Sequence, residues 1–203
     1  TSSGPVSVET GDLNSDGRTD FAVACDGGQC IDIFLSKSTG GFTKKTISHG
    51  ANLKDIDIAD LTGDSRDDIA LAATSDNGVI YRQDSDGNFT KIFDAAVTGG
   101  GYYYYNWDVR AVACGDFNRD GRKDVVWTVG YNYPYTYEWT YLGAIKIHFQ
   151  STSGTFSSSY NYLYYTSSDT RGVDAGDVTG DGRDDIVVTT YYSNKVKSFY
   201  QVA

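Results

Sequence analysis

The segment "CGDFNRDGRKDVVW", residues 114–127, decides how the rest of the chain is read. Asp116, Asn118 and Asp120 alternate, Gly121 follows, and Asp124 closes a loop of nine residues. Hard oxygens at alternate positions of a tight turn suit calcium, which takes six to eight oxygen ligands. An EF-hand opens in the same way, but a bidentate Glu stands at its twelfth position and helices flank it. Here the twelfth residue is Trp127, which cannot ligate a metal. The flanks read as strands: Val112 and Cys114 alternate ahead of the loop, and the apolar run "VVWTV" follows Asp124. The loop is therefore a candidate staple within a strand hairpin.

Three more segments align with it: "GDLNSDGRTDFAVAC" from Gly11, "ADLTGDSRDDIALAA" from Ala59 and "GDVTGDGRDDIVVTT" from Gly176. Their twelfth positions are Val23, Leu71 and Val188, so none is an EF-hand. Positions 1, 3, 5 and 9 offer side-chain oxygen, and position 7 a backbone carbonyl. The candidate calcium ligands are thus Asp12, Asn14, Asp16, Arg18 and Asp20 in the first loop, and Asp60, Thr62, Asp64, Arg66 and Asp68 in the second. In the third they are Asp116, Asn118, Asp120, Arg122 and Asp124, and in the fourth Asp177, Thr179, Asp181, Arg183 and Asp185. A Thr hydroxyl is a weaker ligand than an Asn carbonyl, and Ser65 replaces the turn Gly at position 6 of the second loop. The loops at Asp12 and Asp116 rank first, then Asp177, with Asp60 weakest. Together the loops hold 14 of the 27 acids and 6 of the 17 Lys and Arg residues, a charge of −8 out of −10. Up to four Ca²⁺ would cancel it. The alternative is a set of Asx-rich turns without metal.

The first acids, Asp12, Asp60, Asp116 and Asp177, are 48, 56 and 61 residues apart, a spacing of propellers, solenoids or arrays. Each repeat has an alternating strand before the loop and a continuous apolar run after it, as in a strand covered on both faces. Three have a later Gly turn: "TGGFT" ending at Thr43, "DGNFT" at Thr90 and "SGTFS" at Ser157. The unit is four strands with the metal loop joining the first to the second, which is a β-propeller blade. The expectation is one all-β domain over residues 1–203, with repeats at about 5–50, 51–100, 101–167 and 168–203. The fourth repeat stops before a fourth strand, and Thr1–Gly4 is too short to supply one. The propeller is either four-bladed or part of a larger one in a longer parent chain.

The run "DFNRDGRKD", an apolar strand and then a Gly-Phe turn resemble the FG-GAP/VCBS repeat. Such repeats build the propeller of integrin α-subunits, fungal lectins of the Psathyrella type and accessory domains of secreted polysaccharide-degrading enzymes. The resemblance implies a β-propeller with calcium in its hairpin loops and an extracellular setting. It does not identify a ligand, because one fold hosts many functions.

Function is sought where the repeats differ. Repeat three carries a surplus around "GYNYPYTYEWTY", residues 130–141, and the connection before it carries one around "GGGYYYYNW", residues 99–107. Strand direction places both insertions on the face opposite the calcium loops. Tyr102, Tyr103, Tyr104, Tyr105, Trp107, Tyr131, Tyr133, Tyr135, Tyr137 and Trp139 are the candidate ligand-binding residues. Exposed Tyr and Trp favour binding, and flat rings with polar edges suit sugars. The same residues also suit packing between blades, or self-association. The leading reading is a carbohydrate-binding, lectin-like module. The alternatives are a protein-interaction or adhesion module and an accessory domain of a secreted enzyme.

The charge of −10 argues against a binder that neutralises nucleic-acid phosphates. No apolar run reaches the roughly 18 residues of a membrane span. His49 and His148 sit in no catalytic motif, and no enzyme is expected, although Asp108 and Glu138 among the aromatics form the one acid/base pair to consider. Cys25 and Cys30 flank "DGGQ" and are either a disulfide across a hairpin or two free thiols; Cys114 reads as a small buried residue. Asn88 opens a glycosylation sequon, "NFT".

Overall fold

Runs of Val, Ile and Thr between Gly- and Asp-rich turns form antiparallel hairpins, because branched side chains suit a pleated surface and the turns reverse the chain. The computed structural model describes residues 1–74, 77–96, 106–132, 143–166, 169–191 and 193–199. Within them, consecutive strands pair into four antiparallel sheets. The first holds β1 (Pro5–Gly11), β2 (Asp20–Cys25), β3 (Cys30–Ser36) and β4 (Phe42–Ser48). The second holds β5 (Leu53–Ala59), β6 (Asp68–Ala73), β7 (Asn77–Gln83) and β8 (Phe89–Ala96). The third holds β9 (Asn106–Gly115), β10 (Asp124–Asn132), β11 (Gly143–His148) and β12 (Tyr162–Thr166). The fourth has three strands among the described residues: β13 (Thr170–Gly176), β14 (Asp185–Thr190) and β15 (Lys195–Phe199). Each repeat is thus one sheet, the last with three strands among the described residues.

The sheets stack face on face, with β1, β5, β9 and β13 side by side in chain order. Three apolar layers fill the spaces between them. Ala22, Ala24, Ile31 and Ile33 meet Ile69, Leu71, Val79 and Tyr81 between the first two sheets. Ala70, Ala72, Ile80 and Phe93 meet Val109, Val112, Val125 and Trp127 in the next layer. Ala113, Val126, Ile145 and Ile147 meet Ile186 and Val188 in the third. The second strand of a sheet therefore has two apolar neighbours, which is why its sequence is apolar at nearly every position; β6 is buried throughout. At the centre, Glu9, Asp55, Asp57 and Asp174 border a cavity of about 260 Å³. Burial raises the carboxyl pKa of Glu9, Asp55 and Asp57, and like charges of neighbouring acids add to it at Glu9 and Asp57.

Trp127 fills the layer between the second and third sheets. It is fully buried, donates its indole N–H to Leu71 O at 3.1 Å, and stacks on Phe93 with ring centroids 5.7 Å apart. His148 meets both rings edge-on and its Nδ1 donates to Ser157 O at 3.0 Å. Burial among these rings, opposed by the bond to Ser157 and aided by the charge of Lys146, lowers the His148 pKa to about 4. The folded chain therefore resists the proton that the unfolded chain accepts below the ordinary value near 6.5. Stability present above about pH 6.5 should be lost as pH falls towards 4, by about 3 kcal/mol from this group. Urea titrations of the wild-type chain and of His148→Asn at pH 7 and pH 4.5 isolate this group, because the difference between the two chains should shrink by that amount as pH falls while the contributions of the buried carboxyl groups cancel.

Cys25 and Cys30 are register partners at the end of the β2–β3 hairpin, and both are buried free thiols. Of the two readings, free thiols describe the structure. Cys114 lies at the edge of the second apolar layer, where burial pushes its thiol well up.

Candidate metal loops and the opposite face

All four nine-residue loops lie where the sequence places them, between the first and second strands of their sheets. They share one backbone shape. Position 6 has φ near +80° at Gly17, Gly121 and Gly182, and +65° at Ser65. Position 4 is also left-handed, at Ser15, Gly63, Arg119 and Gly180. Only glycine adopts that region without steric cost, and every loop has a Gly in at least one of the two places. The carboxylate at position 1 organises the turn. Asp12 Oδ1 accepts the N–H of Asp16 at 3.0 Å, and Oδ2 accepts Gly17 N–H at 2.7 Å. Asp60, Asp116 and Asp177 do the same in their loops. In loops one and three the position-3 amide joins them: Asn14 Oδ1 and Asn118 Oδ1 each accept the same N–H as their position-1 neighbour, at 3.1 and 3.0 Å. Two side-chain oxygens thus converge in the loops at Asp12 and Asp116. In the fourth loop, Thr179 instead turns its hydroxyl to Asp185 at 3.0 Å.

Position 9 is a buried acid that fastens the loop to the rest of its sheet. Asp20 accepts Leu13 N–H at 3.1 Å and Ser36 N–H at 2.7 Å; Asp68 accepts Leu61 and Gln83 N–H; Asp124 accepts Phe117 and Gln150 N–H. Asp185 accepts Val178 N–H within its own loop. Burial pushes the Asp124 carboxyl up to about 7, with smaller upward contributions from Asp120 and Asp116, against the lowering effect of its two N–H donors. Burial likewise raises Asp68 to about 6.

Several contacts escaped the sequence reading. The Arg at position 7 acts through its side chain: Arg18, Arg66 and Arg122 pair with Asp16, Asp64 and Asp120. The same guanidinium groups donate to Ser36 O, Gln83 O and Gln150 O. Gln83, fully buried, spans two loops by accepting Ser15 Oγ–H at 2.8 Å and donating to Asp12 O and Asp67 O. Position 8 links neighbouring sheets, Asp67 accepting Asp12 N–H and Asp184 accepting Asp116 N–H. The signal for the Arg was its recurrence at position 7 of every loop; Gln83 carried none, because Ser15 and Asp12 are some 70 residues away from it in sequence.

The donor chemistry of loops one and three fits a hard cation, with position-1 and position-3 oxygens converging and a buried acid close by. Among the described residues no three Asp, Glu, His or Cys side chains gather at one point. The position-5 acids of the first three loops turn to their Arg partners, and the position-9 acids to backbone N–H groups.

The opposite ends of the strands carry a second polar cluster. Arg110 Nη1 lies 2.8 Å from Asp108, and its Nε lies 3.7 Å from the fully buried Asp169. Arg171 Nε lies 2.8 Å from Asp169, and its guanidinium covers the Tyr191 ring at 4.9 Å. Gly130 is required here, since a Cβ would stand 2.1 Å from Asp169 Oδ1. Asp108 is thus paired with Arg110, and Glu138 lies outside the described residues. Tyr102–Tyr105, Tyr133, Tyr135, Tyr137 and Trp139 also lie outside them. Trp107 and Tyr131 are register partners on β9 and β10, at the strand ends remote from the Asp124–Gly115 pair beside the metal loop. The described ends of β9 and β10 that adjoin the two insertions thus lie at the opposite end of the strands from the metal loop.

The model of the FG-GAP-like repeat matches residues 12–71, 60–127 and 135–188, well over half of the chain. The chain belongs to the FG-GAP-like repeat family. Each matched unit ends at the twelfth position after a loop Asp, at Leu71, Trp127 or Val188, so the family unit runs through these hairpins. Four antiparallel sheets stacked with their first strands side by side give this FG-GAP-like chain an architecture of the β-propeller type. Among solved structures, a chain in the crystal structure of BBS1N in complex with ARL6DN, soaked with mercury, is similar over 98% of this chain and 83% of that one. The identity is 10% and the TM-score 0.48. The exotype rhamnogalacturonan lyase YesX is similar over 92% of this chain and 39% of its own, at 16% identity and a TM-score of 0.48. None of the curated proteins matches the chain. No helix of the described residues is long and apolar enough to cross a membrane.

Proposed function

We propose that this FG-GAP-like chain is a calcium-stabilised, extracellular interaction scaffold that binds a protein partner on the face opposite its metal loops. The observation that carries the reading is the segregation of roles between two ends of the same strands. One end repeats a single loop four times, with oxygens drawn together at Asp12/Asn14 and Asp116/Asn118. The other end differs between repeats and, in its described part, presents Arg171 and Tyr191, with the mostly buried Arg110 and the acids Asp108 and Asp169 behind them. Arg and Tyr are residue types that dominate protein interfaces. Calcium would be held by the position 1, 3, 5 and 9 oxygens of a loop, most tightly in loops one and three, and would supply positive charge rather than chemistry. Carbohydrate binding is the second reading, favoured by the emergence of both Tyr-rich insertions beside Trp107 and Tyr131.

Glycan-array screening and protein capture by the calcium-loaded chain separate the two. A protein partner whose binding weakens at least about tenfold on Arg171→Ala supports the proposal, since loss of an interface anchor costs about 2 kcal/mol or more. Glycan binding abolished by Trp107→Ala or Tyr104→Ala, without a protein partner, would replace it with the carbohydrate reading.

A further inference from the structure

The contacts that join one metal loop to the next differ between the three junctions. Between the first and second sheets, Asp67, position 8 of loop two, accepts the N–H of Asp12 at 2.7 Å. Asp67 stands between Arg66 and Asp68, two candidate ligands of its own loop. Gln83 fastens the same pair of loops. Its own N–H goes to Asp68 at 2.8 Å, and its side chain donates to Asp12 O and Asp67 O. It also accepts the hydroxyl of Ser15, position 4 of loop one. Positions 1 and 4 of loop one are thus tied to positions 8 and 9 of loop two. Between the third and fourth sheets part of this recurs. Asp184, position 8 of loop four, accepts Asp116 N–H at 2.8 Å and the ammonium of Lys123 at 2.9 Å. At both junctions a glycine precedes the first Asp, and the close approach requires it. A Cβ on Gly11 would stand 2.8 Å from Asp67 Oδ2, and one on Gly115 would stand 3.0 Å from Asp184 Cβ.

The middle junction has none of these parts. Position 8 of loop three is Lys123, whose ammonium cannot accept a hydrogen bond. Ala59, not glycine, precedes Asp60, and position 4 of loop two is Gly63, which has no hydroxyl. Gln150 holds the place of Gln83, with its N–H on Asp124 at 2.9 Å. It is 2% exposed, yet neither polar atom of its side chain has a hydrogen-bond partner among the described residues. A Cβ on Gly63 would lie 3.9 Å from Gln150 Oε1, where Ser15 meets Gln83 at the first junction.

We infer that the loops take up calcium as two coupled pairs, one with two and three with four, and that the middle junction couples them little. The inference deepens the calcium reading and rests on it. An ion at loop one draws the oxygens of Asp12 and Asn14 together and fixes position 1. The residues that hold position 1, Asp67 and Gln83, also flank or hold Asp68 in loop two. Ordering imposed on them by the first ion need not be repeated for the second, which then binds more tightly. Two divalent ions in neighbouring loops repel each other, and the shared frame outweighs that repulsion.

Calorimetric calcium titration tests the coupling at loop two, ranked the weakest site. Asp12→Asn, Asp116→Asn and Asp177→Asn together leave loop two alone and set its reference affinity. Restoring Asp12 should tighten calcium at loop two by at least about fivefold, the lower end of ordinary coupling between sites. Restoring Asp116 instead should change it by less than about twofold. Ser15→Ala in the otherwise unaltered chain removes one junction hydrogen bond and no candidate ligand. It should weaken the last calcium to bind by at least about twofold. Equal affinity of loop two with and without Asp12 overturns the inference, as does weaker binding when loop one is loaded. Tightening by loop three as strong as that by loop one also overturns it, and so does an unchanged last step in Ser15→Ala. A wild-type chain that binds no calcium removes the calcium reading and this inference together, whereas independent loops that bind calcium remove only the inference.

Discussion

Replacing Trp127 with alanine lowers the stability of the fold by about 3–5 kcal/mol, the range for truncating a large aromatic side chain in a core. The indole is fully buried, its N–H bond to Leu71 O crosses from the third sheet to the second, and it packs on Phe93 and His148. Truncation opens a cavity and leaves that carbonyl without its donor. For a chain of this length the melting temperature should fall by about 6–20 °C. The converse change is informative. A Cβ on Gly78 would lie 2.4 Å from the indole, so Gly78→Ala overpacks the same space and should cost about 1–3 kcal/mol. In the double variant the two effects should partly cancel, because the new methyl enters the space the indole leaves. Urea midpoints measure all three. An unchanged midpoint for Trp127→Ala would contradict the packing described here.

The second large effect is that of calcium on the melting temperature. Binding only to the folded state stabilises by about 2.7 kcal/mol per site at a hundredfold excess over the dissociation constant. At about 2–4 °C per kcal/mol, each occupied loop raises the melting temperature by about 5–11 °C. The rise should be greater at pH 8 than at pH 5, because calcium needs deprotonated carboxylates. Without metal, two of these carboxyl groups should act in the opposite sense. Burial raises the carboxyl pKa of Asp124 to about 7 and of Asp68 to about 6, so the stability from their protonated forms is lost as pH rises through those values. Asp12→Asn with Asp116→Asn should remove most of the calcium response, and Asp60→Asn little of it.

Much of this fold is legible in the sequence because its signals are local and repeated. A nine-residue loop between an alternating strand and a continuous apolar run states the hairpin, its direction and its two-sided burial, and it does so four times. The fourth repeat carries no Gly-Phe turn, and its sheet has three strands among the described residues. What joins one sheet to the next is not legible, because it depends on side chains that meet across about 50–70 residues of sequence. Asp67, Asp57 and Gln83 look like surface acids or a strand-end amide until stacking brings a neighbour's backbone to them. Position 7 misleads for another reason. A loop ligand there uses its carbonyl, so the recurrence of Arg marks the position without announcing that Arg18, Arg66 and Arg122 clamp the position-5 acid and the end of the third strand. The Arg110–Asp169–Arg171 cluster was also missed: its members come from β9 and the approach to β13, 59 residues apart, and share no motif. The aromatic insertions carry the more conspicuous local signal, and most of their residues lie outside the described ones.

The central claim is that repeated acidic loops hold calcium and so make the scaffold. Native mass spectrometry of the chain in calcium, before and after chelation, tests it most directly. The account predicts bound calcium on the folded chain, removed by chelator together with the gain in melting temperature, and reduced when Asp12 and Asp116 are both changed to Asn. A chain that carries no calcium, and whose melting temperature is the same with chelator as with calcium, would contradict it.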